Sequence, residues 1–158
     1  MNTLARPIDR WFAHYSDDHR NAANQRIHVV CVPLILWSVI ALLWTIPSPA
    51  AMFNDGVFAG VAMLLAALFY YRQSRTLGLG MAIAFVVLGL LTRLLHGALG
   101  TQGLLVLGIA VFVVAWIGQF VGHKLEGRKP SFLTDLTYLL IGPAWVLAKL
   151  LRRLGIPY

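Results

Sequence analysis

The sequence predicts an all-α fold: a polytopic membrane helical bundle of four transmembrane helices, with an N-terminal interfacial helix and a C-terminal kinked interfacial or re-entrant helix, forming one membrane-embedded domain over 1–158. Three observations carry that prediction. The chain is 59% apolar and 12% charged, whereas a soluble domain has about 25% charged residues, so the polar supply is too small to coat a globule of this length. No Asp, Glu, Lys or Arg occurs from Ile27 to Asn54. The 13 Lys and Arg, set against 6 Asp and Glu, gather in alternate segments between apolar runs, as topology demands of a membrane bundle. The net charge of +7 therefore marks orientation and gives no nucleic-acid footprint. Disorder, collagen and coiled coil are excluded by low charge, glycines without a triplet period and apolar runs without heptads.

The elements follow in order. Residues 3–16 place Leu4, Ile8, Trp11, Phe12 and Tyr15 at helical spacing beside Arg6, Asp9 and Arg10, which suits a helix lying in the interface. The first apolar run starts only at residue 27 and is too long for the core of a cleaved signal peptide. Ile27 to Ile46 is twenty residues of mostly Val, Leu, Ile, Trp and Ala, and at about 1.5 Å per residue it spans the ~30 Å hydrocarbon layer. A second span runs over 51–71, interrupted by Asp55 and ending in the interfacial pair Tyr70 and Tyr71. A third covers 76–95, with Arg93 able to snorkel, and a fourth 102–122. The connections are marked by Pro47, Pro49, Asn54 and Gly56, by Gln73 to Gly78, and by Gly97 to Gly103; they are short enough to join antiparallel neighbours.

Cations before the first span (Arg6, Arg10, Arg20, Arg26), in the second connection (Arg72, Arg75) and after the fourth span (Lys124, Arg128, Lys129) put both termini in the cytoplasm. The apolar stretch 132–151 is long enough to cross, but crossing would export Lys149, Arg152 and Arg153, and it contains Asp135 and the pair Gly142 and Pro143. A kinked interfacial or re-entrant helix on the cytoplasmic side accommodates all of these.

Four of the five histidines, His14, His19, His28 and His123, fall on that cytoplasmic side. Antiparallel packing brings His28, at the start of the first span, level with His123, at the end of the fourth. Gln119, His123 and Glu126 share one helical face at i, i+4 and i+7, and Asn24 and His28 form an i, i+4 pair. His19 lies nine residues before His28, about 900° of helical rotation, so a break is needed if both serve one metal; Asn21 and Asn24 are suitable N-caps for it. Neutral imidazoles with a carboxylate fit non-haem Fe(II), Zn or Mn. Two other readings stay open: His28 and His123 as axial ligands of a haem electron carrier, and a non-catalytic lipid-organising module.

The remaining features have plainer roles. His14 reads as a solvated residue near Asp18. His96, at the opposite end of the third span, is about 30 Å from the other level and reads as structural, with a reserve role as a ligand. Gly118 and Gly122, like Gly56 and Gly60, permit close helix contact. Trp37, Trp44, Trp116 and Trp145 read as packing or belt residues. Cys31 reads as a small buried thiol with no partner for an intrachain disulfide, being the single cysteine. Lys124, Arg128 and Lys129 carry the topology signal and could attract an anionic head group. No P-loop, dinucleotide fingerprint, Gly-x-Ser-x-Gly or Cys-x-x-Cys occurs.

The stretch His19-Arg-Asn-Ala-Ala-Asn24-Gln-Arg-Ile-His28 with Val32-Pro33, and the block Trp116-Ile-Gly-Gln119-Phe-Val-Gly-His123 with Glu126, Pro130, Asp135 and Gly142-Pro143, resemble the opening and closing motifs of the small integral-membrane family typified by the fungal endoplasmic-reticulum 2-hydroxy fatty acid dioxygenase. The likeness covers nearly the whole chain. It implies an Fe(II)-dependent dioxygenase of fatty acid α-oxidation that uses O₂ to shorten a long-chain 2-hydroxy fatty acid by one carbon. It further implies His19, His28 and His123 as iron ligands, Glu126 as a ligand or supporting carboxylate, and Asn24 and Gln119 as polar groups that orient the site. The apolar runs and cation placement give the expected location, an integral membrane protein of the bacterial inner membrane with lipid as its surroundings.

Overall fold

A computed structural model describes residues 6–48, 55–127 and 132–158, with side chains in those ranges except at 132–137. Five helices make up the fold: α1 (Pro7–Asp17), α2 (Ala22–Trp44), α3 (Val57–Gln73), α4 (Arg75–Glu126) and α5 (Phe132–Arg153). No strand occurs among the described residues. Leu4, Pro49, Asn54, Arg128, Lys129 and Pro130, and the side chain of Asp135, lie outside the described residues.

Pro7 opens α1, where its missing N–H costs no helical hydrogen bond. The expected apolar stripe is buried at Ile8, Phe12 and Tyr15, while Trp11 stays exposed. The break required between His19 and His28 is present: α1 stops at Asp17, and the Asn21 side chain caps α2 by accepting from the backbone N–H of Ala23 and Asn24.

Two connections are shorter than the composition of their segments suggests. The expected loop Gln73 to Gly78 contracts to Ser74, whose extended backbone turns the chain and whose Oγ accepts from the Leu77 N–H. The Gly97 to Gly103 segment contracts to Gly100, the one non-helical residue within α4 (φ 69°, ψ 177°). That conformation is all but closed to residues with a Cβ, so one glycine suffices and the helical arms extend to meet it.

Packing fixes the direction of the two arms. In the first arm, Phe85 and Gly89 sit against Tyr70 and Met63 of α3. Leu88 and Leu95 of that arm join Leu104 of the second around Trp37 and Ala41 of α2, so the chain folds back at Gly100. The second arm then descends antiparallel to α2, with Gly108 against Ala41 and Leu42, Gly118 against Cys31, and Gly122 against Asn24 and His28. A Cβ at Gly118 would lie 2.6 Å from the Cys31 sulfur, which accounts for the small residues on this seam.

α2 and α4 are long and apolar enough to cross a membrane. α3, with 17 described residues, is shorter than the roughly 20 a crossing needs. The outer faces of α3 and α4 carry exposed Leu64, Leu65, Leu68, Ile83, Val86, Leu94 and Val114. α5 runs as one helix through Gly142 and Pro143. Gly142 lies there close to the Tyr15 hydroxyl and Val32, where a Cβ would come to 3.2 Å from the hydroxyl. Ile141, Ala144, Trp145 and Ala148 form the buried face of α5 against Ile8, Phe12 and Tyr15 of α1. The α1–α5 pair thus closes one end of the α2–α4 bundle.

Candidate metal centre

Three elements deliver one histidine each to that closed end. His19 lies in the turn after α1, His28 in the second turn of α2 and His123 in the last turn of α4. Their relative exposures are 1%, 1% and 8%. Ring centroids are 4.1 Å apart for His19 and His28, 5.0 Å for His28 and His123, and 5.4 Å for His19 and His123. One nitrogen from each falls within 4.8 Å of the others. Nitrogens held about 2.1 Å from a common ion must lie within about 4.2 Å of one another, so the trio stands slightly wider than a closed ligand set.

The hydrogen bonds fix two of the tautomers. His19 Nδ1 is 2.6 Å from the Tyr15 carbonyl and His28 Nδ1 is 3.0 Å from the Asn24 carbonyl. A carbonyl only accepts, so each Nδ1 carries the proton and each Nε2 keeps its lone pair. His19 Nε2 is buried without a hydrogen-bond partner. An orphaned acceptor aimed among two other imidazoles is costly unless a cation meets it. Burial pushes the His19 pKa below its usual value, overcoming the Tyr15 hydrogen bond that raises it, and the neighbouring His123 lowers it further. The ring is therefore neutral at physiological pH, as a ligand must be. The donor set fits a borderline divalent ion such as iron, zinc or manganese.

Glu126 has a different task. Its carboxylate accepts from the backbone N–H groups of Arg20 (2.8 Å) and Asn21 (3.0 Å) and from Asn24 Nδ2 (2.8 Å). These are the open donors ahead of α2, where an anion is favoured, and the contacts clamp the end of α4 onto the start of α2. The potential ligand group among the described residues comprises the three histidines without Glu126. Asn24 is central to the clamp: its amide nitrogen holds Glu126, its carbonyl orients His28, and its Oδ1 lies directly over Gly122. Gln119 Oε1 is buried with no partner, one helical turn before His123.

A narrow cavity of about 30 Å³ lies beside the histidines. His28, Gln119 and His123 form its polar end, and Val32, Ile35, Leu139 and Pro143 its apolar wall, with Tyr15, Trp116 and Tyr138 between. Polar and apolar groups thus meet at the edge of the histidine cluster.

Several contributors escaped the sequence reading. Tyr15 stacks on His19 with centroids 4.2 Å apart, and it touches Tyr138 and Trp145 at 5.0 Å each. The Tyr15 to His19 spacing of four was a usable signal, masked by Tyr15 also belonging to the apolar stripe of α1. Gln25 donates to the His19 carbonyl at 2.6 Å and accepts from Lys149 Nζ at 2.7 Å; no local pattern marks that contact. His96 bonds Thr101 at 3.0 Å across the Gly100 turn, apart from the cluster. His14 is exposed, and Asp18 accepts from the Tyr138 hydroxyl.

The model of a family described as Mpo1-like, 2-hydroxy-palmitic acid dioxygenase Mpo1-like, matches residues 5–154. The 2-hydroxy-palmitic acid dioxygenase MPO1 of Saccharomyces cerevisiae is 28% identical over 143 residues, covering 89% of this chain and 78% of the yeast protein. No solved structure matches the chain.

Proposed function

The chain belongs to the Mpo1-like family, and from that membership we propose that it is an Fe(II)-dependent dioxygenase that cleaves long-chain 2-hydroxy fatty acids between C1 and C2 with O₂, leaving an acid one carbon shorter. The observation that carries the reading is the trio His19, His28 and His123, two of them with Nδ1 committed to backbone carbonyls and one with a buried, partnerless Nε2. These residues would hold the ion. When bound, iron would supply the one-electron chemistry dioxygen requires and the Lewis acidity that favours a chelating 2-hydroxy carboxylate.

The protein's own part is binding, orientation and exclusion of water. The backbone carbonyls of Tyr15 and Asn24 hold the His19 and His28 rings. Glu126 and Asn24 keep α4 and α2 in register, so His123 stays opposite His28. Gln119 presents an unpartnered amide oxygen at the polar end of the cleft, suited to accept from the substrate 2-hydroxyl. Val32, Ile35 and Leu139 guide the hydrocarbon away from the histidines. The Tyr15 and Trp145 rings pack on His19, with Tyr138 against Tyr15, and together limit water entry.

In this reading α2 and the arms of α4 cross a bilayer with α3, giving four spans with both termini cytoplasmic in a bacterial inner membrane, and α1 with α5 lies at the inner interface. The charge-free stretch of α2 from Ile27 onward, the cations before it and the exposed apolar outer faces support it. A substrate tail could then reach the cleft without leaving lipid.

Protein purified without oxygen and supplied with 2-hydroxypalmitate should consume O₂ and release a fifteen-carbon acid, detected by mass spectrometry. Full turnover by a His28→Ala, His123→Ala double variant would exclude the proposed site.

A further inference from the structure

A second, larger cleft of about 540 Å³ lies between the first turns of α2 and the last turns of α5, on the other side of α2 from the histidines. Its rim carries Arg26, Lys149 and Arg153, and its floor Val29, Val30 and Leu150. No carboxylate lines it among the described residues. Val29, Val30 and Leu150 are 41%, 60% and 51% exposed, so the floor is apolar surface that no described part of the protein covers. Arg26 immediately precedes the charge-free stretch beginning at Ile27. The cations therefore stand at the polar edge of an apolar slope, which is where a lipid head group and its chains change phase.

We propose that this cleft holds the phosphate head group of an anionic membrane phospholipid on Arg26, Lys149 and Arg153, with an acyl chain lying along Val29, Val30 and Leu150. The proposal rests on the membrane reading above and is independent of iron chemistry. Three cations exceed what one carboxylate can satisfy, whereas a phosphodiester offers several oxygens, and the planar guanidinium of Arg26 or Arg153 can meet two of them at once. Burial, with Arg153 and Arg152 nearby, lowers the Lys149 pKa; an anion in the cleft relieves that strain of like charges. Lys149 lies 3.9 Å over the Trp145 ring and bonds Gln25, which in turn holds the His19 carbonyl. The head group would thus sit two hydrogen bonds from the turn that carries His19.

The test is native mass spectrometry of the delipidated full chain in detergent, titrated with dioleoyl phosphatidylglycerol, dioleoyl phosphatidylcholine or sodium oleate. Phosphatidylglycerol should bind at least tenfold more tightly than phosphatidylcholine. A surface cation is worth roughly fivefold in affinity for anionic lipid, so Arg26→Gln with Arg153→Gln should weaken phosphatidylglycerol binding about thirtyfold and leave phosphatidylcholine unchanged. Both arginines are exposed and lie outside the metal cluster, so the thermal unfolding midpoint serves as the folding control. Equal binding of the two phospholipids, or an unchanged preference in the double variant, overturns the proposal and leaves the membrane reading standing. Oleate binding that the double variant loses, with no phosphatidylglycerol preference, overturns it in favour of a fatty carboxylate. Absence of binding by either phospholipid overturns both.

Discussion

Gly122→Ala is the smallest change that should reach the metal centre without touching a ligand. A Cβ built at Gly122 collides with Asn24 Oδ1 and comes to 3.3 Å from His28 Cε1. Neither neighbour can yield at no cost, because Asn24 is held by Glu126 and His28 by the Asn24 carbonyl. Overpacking of this kind costs about 1–3 kcal/mol, against which alanine recovers up to about 1 kcal/mol of helix propensity. The net expected loss is about 1–2 kcal/mol, expressed mostly as displacement of His28. Disturbing the groups that orient a ligand typically lowers metal affinity 10- to 100-fold. Gly97→Ala is the control: its Cβ would meet nothing within 4 Å, so only the propensity gain remains. Titration of metal-stripped protein with Fe(II) or Zn(II) under anaerobic conditions, followed by calorimetry, should give weaker binding for Gly122→Ala and unchanged binding for Gly97→Ala. Equal affinities for both variants would refute the claim that close approach of α4 to Asn24 and His28 shapes the site.

Further expectations follow from other contacts. Glu126→Gln removes charge-assisted hydrogen bonds at the start of α2 and should cost about 1–3 kcal/mol while metal stoichiometry is retained; complete loss of metal with an unchanged melting temperature would make Glu126 a ligand instead of a clamp. Gly100→Ala forces a Cβ into a glycine-only conformation and should cost about 1–3 kcal/mol in stability, lowering the melting temperature with metal content unaltered; no change would mean the α4 reversal is relaxed. The lowered His19 pKa gives a pH dependence of defined sign. The unfolded chain gains the proton at the ordinary value of 6.5 while the folded ring remains neutral, so the stability of the metal-free protein should be level above pH 7 and fall as pH drops below 6.5 toward the lowered folded value. A thermal-shift series in which stability rises on acidification through that window would contradict it.

How much of this was legible in the sequence varied with the range of the interaction involved. The break at Asn21 could be read because capping is local chemistry, and the convergence of His28 with His123 could be read because charge-free lengths and cation placement set the order and direction of the helices. The Gln119, His123 and Glu126 face held as a helical face, yet spacing could not say that Glu126 would turn to the N–H groups of Arg20 and Asn21. Connection lengths were overestimated where several glycines or polar residues adjoin. Composition marks a region as breakable, but the conformation of one residue, Ser74 or Gly100, decides where the chain turns. Gly142 and Pro143 read as breakers, and the helix runs through both, with Gly142 set close to Tyr15 and Val32. The stacking of Tyr15 on His19 and the Lys149 to Gln25 contact depend on how α1 and α5 close the bundle, which no periodicity in either segment reports.

Metal analysis of the full chain purified anaerobically is the most direct test of the central claim, that His19, His28 and His123 hold one divalent ion. The account predicts close to one iron per chain, falling to background in His19→Ala, His28→Ala and His123→Ala alike, with His14→Ala and His96→Ala unchanged. Wild-type protein that takes up no divalent metal, or three single variants that retain it in full, would contradict the account.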